Sequence, residues 1–175
     1  MTTNQVAVLF IVGRHSVAGT IDHSSSRVLD VLNDVNTEFL RVHGVAVFRG
    51  FQGGPIVQFD EVTVPKSAID CVILTEDRHE APLRRQYALV EKRPHPVFAV
   101  MTDYEVRGTA MLERSVDPVS VLNSGASHFF PIVTANVSSV DSEGPPLAAK
   151  VVFVNKTKVS LLQIEKRAIA PPTVE

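Results

Sequence analysis

Cysteine and tryptophan are scarce in this chain, and each scarcity argues against one class of protein. Cys71 is the only cysteine, so the chain forms no internal disulfide and does not fit a secreted disulfide framework. Tryptophan is absent, and Tyr87 and Tyr104 are the only tyrosines. Tyrosine and tryptophan side chains on which single-stranded nucleic acid could stack are therefore few.

Long apolar runs and an excess of one charge are also missing. No run approaches the roughly 20 apolar residues that span a bilayer, and residues 1–5 lack the positive charge of a secretion signal. The net charge is −2, whereas dedicated nucleic-acid binders are usually basic. Hydrophobic residues make up 45% of the chain, which predicts a packed core. We expect a cytoplasmic protein that does not enter a membrane.

The second half of the sequence repeats a pattern of the first half. Val31-Leu32-Asn33 recurs as Val121-Leu122-Asn123, displaced by 90 positions, and Gly19 recurs as Gly108, displaced by 89. One residue is therefore inserted in the second copy. The alternative is chance similarity between two valine-rich stretches, but the matches stay collinear and include glycine, asparagine and lysine. The pattern predicts an internal duplication.

Each copy has the pattern of five short strands bounded by turn residues. In the first copy the strands are predicted at 6–12, 15–22, 39–48, 57–64 and 68–75. In the second they are predicted near 96–102, 104–111, 128–137, 147–154 and 158–165. Between strands two and three, Val28, Leu29 and Leu32 follow Ser24–Ser26 at helical spacing, which predicts a short helical turn with a serine cap.

Five short, tightly connected strands favour a small bent barrel over a flat meander. We therefore predict a mostly β protein with two tandem five-stranded small bent barrels, each with a short helical turn between strands two and three. The predicted boundaries are 1–76 for the first barrel, 77–94 for a linker, 95–167 for the second barrel and 168–175 for a flexible tail. One core of this size is marginally stable, so we expect the copies to pack together.

Two pairs of polar residues recur at matching positions of the copies. Asn33 and Asn123 present matching amides, which suits a ligand contact; the alternative is that each caps a helix end or holds a turn. Lys66 and Lys156 recur in a tight turn and, with Lys158, form a basic set suited to phosphate contacts. The alternative for the lysines is a solvated edge that discourages strand aggregation.

No motif in the sequence specifies a reaction, a metal site or a cofactor. The six histidines form no HxH, HxxxH or HExxH pair, and Cys71 has no CxxC partner. Asp22-His23 lies beside serines but lacks the elbow motif of a hydrolase. Because Cys71 belongs to an apolar run, we predict a buried small hydrophobe rather than a reactive thiol. We expect no catalytic residue, no metal and no cofactor.

The second copy resembles the Sm-like small barrels at two places. Val97–Met111 resembles their first two strands, in which a charged residue and a glycine mark a sharp bend, and Val151–Glu165 resembles their closing strand pair. That family folds as a five-strand bent barrel, often forms rings and in many members binds RNA, and the resemblance implies the same here. The chain also resembles a bacterial family marked by a Leu-x-Asp-x-Leu-Asn segment, which Leu29-Asp30-Val31-Leu32-Asn33 matches without the residue between Leu and Asp. That resemblance implies no function.

The chain departs from the Sm pattern where that family contacts RNA. Its asparagines, Asn33 and Asn123, lie before the position that recognises a base. The turns Pro65-Lys66-Ser67 and Asn155-Lys156-Thr157 lack the glycine of the Sm motif. The RNA-pocket residues are therefore not carried over.

Three hypotheses for function follow, and the third of them is an enzyme with an unrecognised site. The first is a non-catalytic interaction or scaffold module that binds a protein partner or self-assembles, because matched faces suit symmetric assembly. The second is an RNA-binding regulator of Sm-like type that uses the lysine turns. The expected partner is a protein or a further copy, with nucleic acid as the alternative.

Overall fold

The computed structural model describes residues 5–23, 27–75, 92–113, 117–123, 127–141 and 144–165. Within them, the first five strands are β1 (Gln5–Val12), β2 (His15–Asp22), β3 (Phe39–Arg49), β4 (Val57–Pro65) and β5 (Cys71–Leu74). The next five are β6 (Lys92–Val100), β7 (Tyr104–Glu113), β8 (Phe129–Ser139), β9 (Leu147–Asn155) and β10 (Leu161–Ile164). The predicted mostly β class is confirmed.

The ten strands fall into two sets, β1–β5 and β6–β10, and short helices lie at the same two places in each set. Helix α1 (Val28–Asn33) connects β2 to β3, and helix α2 (Pro118–Asn123) connects β7 to β8. A 3-10 turn, Lys66–Ala68 or Lys156–Lys158, precedes the last strand of the set. The serines predicted to cap the first helix lie outside the described residues. At the start of α1 the Asp30 carboxylate accepts hydrogen bonds from the backbone N–H and the Nε–H of Arg27, both at 3.3 Å.

All ten strands belong to one antiparallel sheet in the order β10-β6-β7-β8-β9-β5-β1-β2-β3-β4. Within each set the last strand lies beside the first, and the sets meet where β5 pairs with β9. The two predicted tandem five-stranded barrels are therefore not confirmed, because the ten strands form one open sheet. Strands β4 and β10 form the outer edges of the sheet.

The boundaries between the sets are described only in part. Residues 77–91 of the predicted linker and all of the predicted tail, 168–175, lie outside the described residues. Strand β6 begins at Lys92, so the end of the predicted linker belongs to the first strand of the second set.

The pairing registers of the two sets correspond position by position. Phe39 lies opposite Pro65 in the β3–β4 pair, and Phe129 lies opposite Asn155 in the β8–β9 pair, a displacement of 90 positions on both strands. The β1–β2 and β6–β7 pairs match in the same way at a displacement of 89. Residues that match in the sequence therefore occupy matching places in the sheet.

Gly19 and Gly108 lie where the second strand of each set bends. The pairing with the third strand shifts register at both glycines. A Cβ on Gly19 would lie 2.6 Å from Val42 Cγ1 and 2.9 Å from the carbonyl oxygen of His43, closer than non-bonded atoms approach. The register shift is a β-bulge, and its glycine position accepts no side chain because the third strand fills the space that a Cβ would need.

Two apolar cores lie on the sheet, and each is completed by the other set of strands. The core of the first set includes Phe129 and Phe153 from the second set. The core of the second set includes Ile11, Cys71 and Ile73 from the first. The β5–β9 junction thus joins the two interiors as well as the two backbones.

We expect Gly19→Ala to lower the free energy of unfolding by about 2–3 kcal/mol, because the added methyl group overpacks the bulge. Gly54→Ala is the matched control, since a Cβ there meets nothing within 4 Å and its φ is not positive. Urea denaturation of both variants measures the difference. Equal stabilities would show that the bend does not depend on close approach at Gly19.

Candidate interaction surface

The junction between the two sets is a short backbone ladder with one extra hydrogen bond at its end. Cys71, Val72 and Ile73 of β5 lie opposite Val154, Phe153 and Val152 of β9. The backbone N–H of Asn155 donates to the carbonyl oxygen of Asp70 at 2.9 Å, which extends the ladder by one residue. Nearly all of these side chains are fully buried, so the ladder is shielded from water.

Asn33, at the end of α1, bridges to the start of β8 in the other set. Its Nδ2 donates to the carbonyl oxygen of Phe129 at 3.0 Å, and its Oδ1 accepts from the N–H of Phe129 at 2.8 Å. Both polar groups of that backbone position are thereby satisfied. The sequence suggested a ligand contact or a local cap for Asn33, and the structure places its amide on a residue 96 positions away instead.

Asn155 makes a second side-chain bridge across the junction. Its Nδ2 donates to the carbonyl oxygen of Ile69 at 2.8 Å, and its Oδ1 accepts from the N–H and hydroxyl of Thr157. The side chain is buried, so its full hydrogen bonding avoids a desolvation penalty of about 1–3 kcal/mol. Sequence reasoning did not single out Asn155. The signal was the mismatch in the repeat, where Pro65 occupies the same place in the first set.

An ion-pair cluster lies on the exposed side of the junction. The Arg14 guanidinium in the β1–β2 turn contacts Asp141 at 2.8 Å and Asp103 at 3.4 Å. Asp103 occupies the position in the second set that Arg14 occupies in the first, so opposite charges face each other across the junction. Exposed pairs of this kind contribute at most about 1 kcal/mol and mainly help to set which surfaces meet.

Asp70 lies between this cluster and the ladder. Its carboxylate accepts a hydrogen bond from the N–H of Gly13 at 2.7 Å. Burial raises the pKa of Asp70 above its ordinary value, and the Gly13 hydrogen bond and the nearby Lys158 ammonium counteract that rise. Lys158, predicted as part of a phosphate-binding set, is thus close enough to this carboxylate to interact with it.

Lys66 points into the protein rather than into solvent. Its ammonium donates to the carbonyl oxygens of Val31 and Asp34, at 2.7 and 2.9 Å, and to the hydroxyl of Thr37 at 2.7 Å. All three N–H bonds of the ammonium are therefore engaged at the carboxyl end of α1. Burial lowers the pKa of Lys66, and the Asp34 carboxylate opposes that shift. The corresponding Lys156 is half-buried.

A cavity of about 490 Å³ opens beneath the junction and is lined by both sets. The first set supplies the segment after α1 and the Lys66 turn, and the second supplies His128, Asn155 and Thr157. The polar side chains on its walls include Asp34, which accepts hydrogen bonds from Asn36 and Thr37. The cavity is therefore a consequence of how the sets meet.

Residues that are buried at the junction have counterparts in the other set that are exposed at the two ends of the sheet. Phe129 is 2% exposed at the junction, whereas Phe39 at the same place in the first set is 55% exposed. Cys71 is fully buried at the junction, whereas Leu161 at the same place in the second set is 51% exposed. These two ends, the β4 end around Phe39 and the β10 end around Leu161, form the candidate interaction surface.

Helix α2 shows the same contrast with α1. Val28 and Leu32 of α1 are buried, but α2 has no buried residue. Asn123, which matches Asn33, is exposed. The difference arises because β8 packs against α1, whereas in a single chain α2 lies at the outer end of the sheet, beside β10.

Other candidate chemistry is limited in the described part of the chain. Cys71 is fully buried and burial raises the pKa of its thiol, which fits the predicted small hydrophobe. In these ranges, no cluster of three or more His, Cys, Asp or Glu side chains is placed to hold a metal ion. Neither described helix has the length and apolar character needed to traverse a bilayer.

Comparison of the chain with protein-family models, with curated proteins and with solved structures finds no match.

We expect Asn33→Ala to lower the free energy of unfolding by about 2 kcal/mol, because it removes two hydrogen bonds and leaves the Phe129 backbone unsatisfied. Asn123→Ala is the matched variant and should change the stability of the monomer by less than about 0.5 kcal/mol, as at other exposed positions. Thermal unfolding at low protein concentration measures both. Equal losses would contradict the bridging role of Asn33.

We expect Lys66→Met to lower the free energy of unfolding by about 2–3 kcal/mol, because the carbonyl groups at the end of α1 lose their charged donor. Lys156→Met, at the half-buried equivalent, should have the smaller effect. Denaturant titration of each variant provides the measurement. An unchanged midpoint for Lys66→Met would mean that the ammonium has no structural role and would favour the predicted phosphate contact.

Proposed function

We propose that the protein is a non-catalytic interaction module that self-assembles through the two uncovered ends of its sheet. The observation that carries the proposal is the β5–β9 junction, because it shows that the edges of two such sets pair within one chain. The strands that match β9 and β5 recur at the two ends of the sheet, where Phe39 and Leu161 are exposed. Exposed edge strands and apolar groups are the usual means by which strands from different chains pair.

In this proposal each five-strand set is one module of a tandem duplication and, by resemblance, an Sm-like one. The matching pairing registers and the matching positions of α1 and α2 support that interpretation. A chain of two joined modules then acts as a scaffold unit with one open surface at each end. A protein partner other than a further copy would use the same two surfaces.

The RNA-binding alternative relied on the lysine turns. The Lys66 ammonium already donates to three oxygen atoms of its own chain, so a phosphate would have to displace them. Leu161 and Phe39, in contrast, are apolar and exposed. Assembly is therefore the function that the arrangement supports best.

We expect the mass in solution to exceed the 19.1 kDa of one chain at micromolar concentration and to fall towards it on dilution. Leu161→Lys should shift the protein towards the monomer, because it places a charge where the matching Cys71 is fully buried. Light scattering coupled to gel filtration measures the mass across a dilution series.

Met111→Lys is the matched control, since Met111 is an exposed apolar residue of β7, away from the two edge strands. It should assemble like the unmodified protein. A strictly monomeric unmodified protein across the whole concentration range would contradict the proposal.

A further inference from the structure

The β5–β9 junction shows how the edges of two sets pair. The outer edges, β10 and β4, are the strands that match β5 and β9 in the other set. At the junction Val154 lies opposite Cys71 and Val152 lies opposite Ile73. The corresponding residues of β4 and β10 are Val64 with Leu161, and Val62 with Gln163, each displaced by 90 positions. Because the strand registers of the two sets match, these edges have the geometry of the two halves of the junction.

We propose that β4 of one copy pairs with β10 of the next copy in the register of the β9–β5 pair. This inference rests on the proposed self-assembly and specifies which surfaces meet. The contact is heterologous, since it joins two different surfaces rather than one surface with itself. Each added copy then carries a β4 end or a β10 end that remains open.

The asparagine bridge gives this contact a direction. At the junction, Asn33 of one set holds the backbone of Phe129 in the other through two hydrogen bonds. At the open ends, Asn123 occupies the position of Asn33 and Phe39 occupies that of Phe129. Asn123 of one copy therefore holds the backbone of Phe39 in the next. A symmetric contact between two β10 ends would bring no Phe39 backbone to Asn123 and would leave both Phe39 residues exposed.

The exposed charges favour the same direction. Arg14 contacts Asp103 across the junction at 3.4 Å. At the contact between copies the two positions are exchanged, so Asp103 of one copy faces Arg14 of the next. A contact between two β10 ends or two β4 ends would not reproduce this pairing, because it joins two ends of the same type. The charge pattern thus distinguishes unlike from like ends.

Three differences make the contact between copies weaker than the internal one. Pro65 occupies the place of Asn155, so the N–H that bonds to Asp70 and the amide that bonds to Ile69 are both missing. Thr63 occupies the place of the buried Phe153, and Gln163 that of the buried Ile73. Less apolar area and fewer hydrogen bonds make the contact reversible, whereas the internal junction is permanent.

Two half-blocked variants test the direction of the contact. Phe39→Lys blocks the β4 end and leaves the β10 end intact, and Leu161→Lys does the reverse. Each variant alone should be monomeric, and an equimolar mixture should form dimers with one chain of each kind and nothing larger. Native mass spectrometry identifies the dimer because the two variants differ in mass. Unchanged thermal midpoints establish that both variants are folded.

The outcomes separate this inference from the proposed function. If the unmodified protein assembles but either variant alone keeps its mass, the contact uses one end twice and the direction proposed here is wrong. An assembling unmodified protein whose mixed variants stay monomeric overturns the direction as well. A monomeric unmodified protein overturns both proposals.

Asn123→Ala provides a test that adds no charge. It should weaken the association about tenfold, the equivalent of about 1.4 kcal/mol, while the unfolding midpoint of the monomer stays unchanged. Ser120→Ala, on the same helix α2, is the control and should assemble like the unmodified protein. An unchanged dissociation constant for Asn123→Ala would remove the asparagine bridge from the contact.

Discussion

The pairing of β5 with β9 is the interaction on which the rest of the structure depends. Edge strands carry backbone N–H and C=O groups that lack partners, and a set of five strands has two such edges. Joining one edge from each set satisfies both rows of groups at once. It also brings Phe129 and Phe153 into the first core and Ile11, Cys71 and Ile73 into the second. A five-strand set on its own would have a small core, which this exchange enlarges.

The same physics explains the composition of the outer edges. A perfect copy of the internal junction at each end would join chains irreversibly, because every backbone group and apolar side chain would find a partner. Proline is tolerated at an edge strand because the missing N–H faces away from the ladder, and it weakens any added pairing. Pro65 and Gln163 therefore keep the ends compatible with a folded single chain, while Phe39 and Leu161 keep them apolar.

Local patterns predicted most of the secondary structure because they depend on neighbours in the chain. The predicted strands overlap the ten described strands, but β6 begins earlier than predicted, at Lys92. Strands β5 and β10 are both shorter than predicted, because a 3-10 turn, Lys66–Ala68 or Lys156–Lys158, precedes each of them. A bend at Gly108 was implied only by the Sm-like resemblance, and the pairing with the third strand shifts register at both Gly19 and Gly108. The role of Asn33 was beyond local reasoning, since its partner Phe129 lies 96 positions along the chain.

The sequence by itself determined the number and order of the strands, the helical turns and the matching positions of the two halves, because each of these follows from propensities and spacings within a few residues. Only the tertiary structure decided that the halves share one sheet, that the Lys66 ammonium is directed inward, and that Phe129 is covered while Phe39 is not. Those outcomes depend on which edge meets which. Two edges with similar sequence patterns differ in exposure only in the folded chain, where one edge is paired with another strand and the other is not.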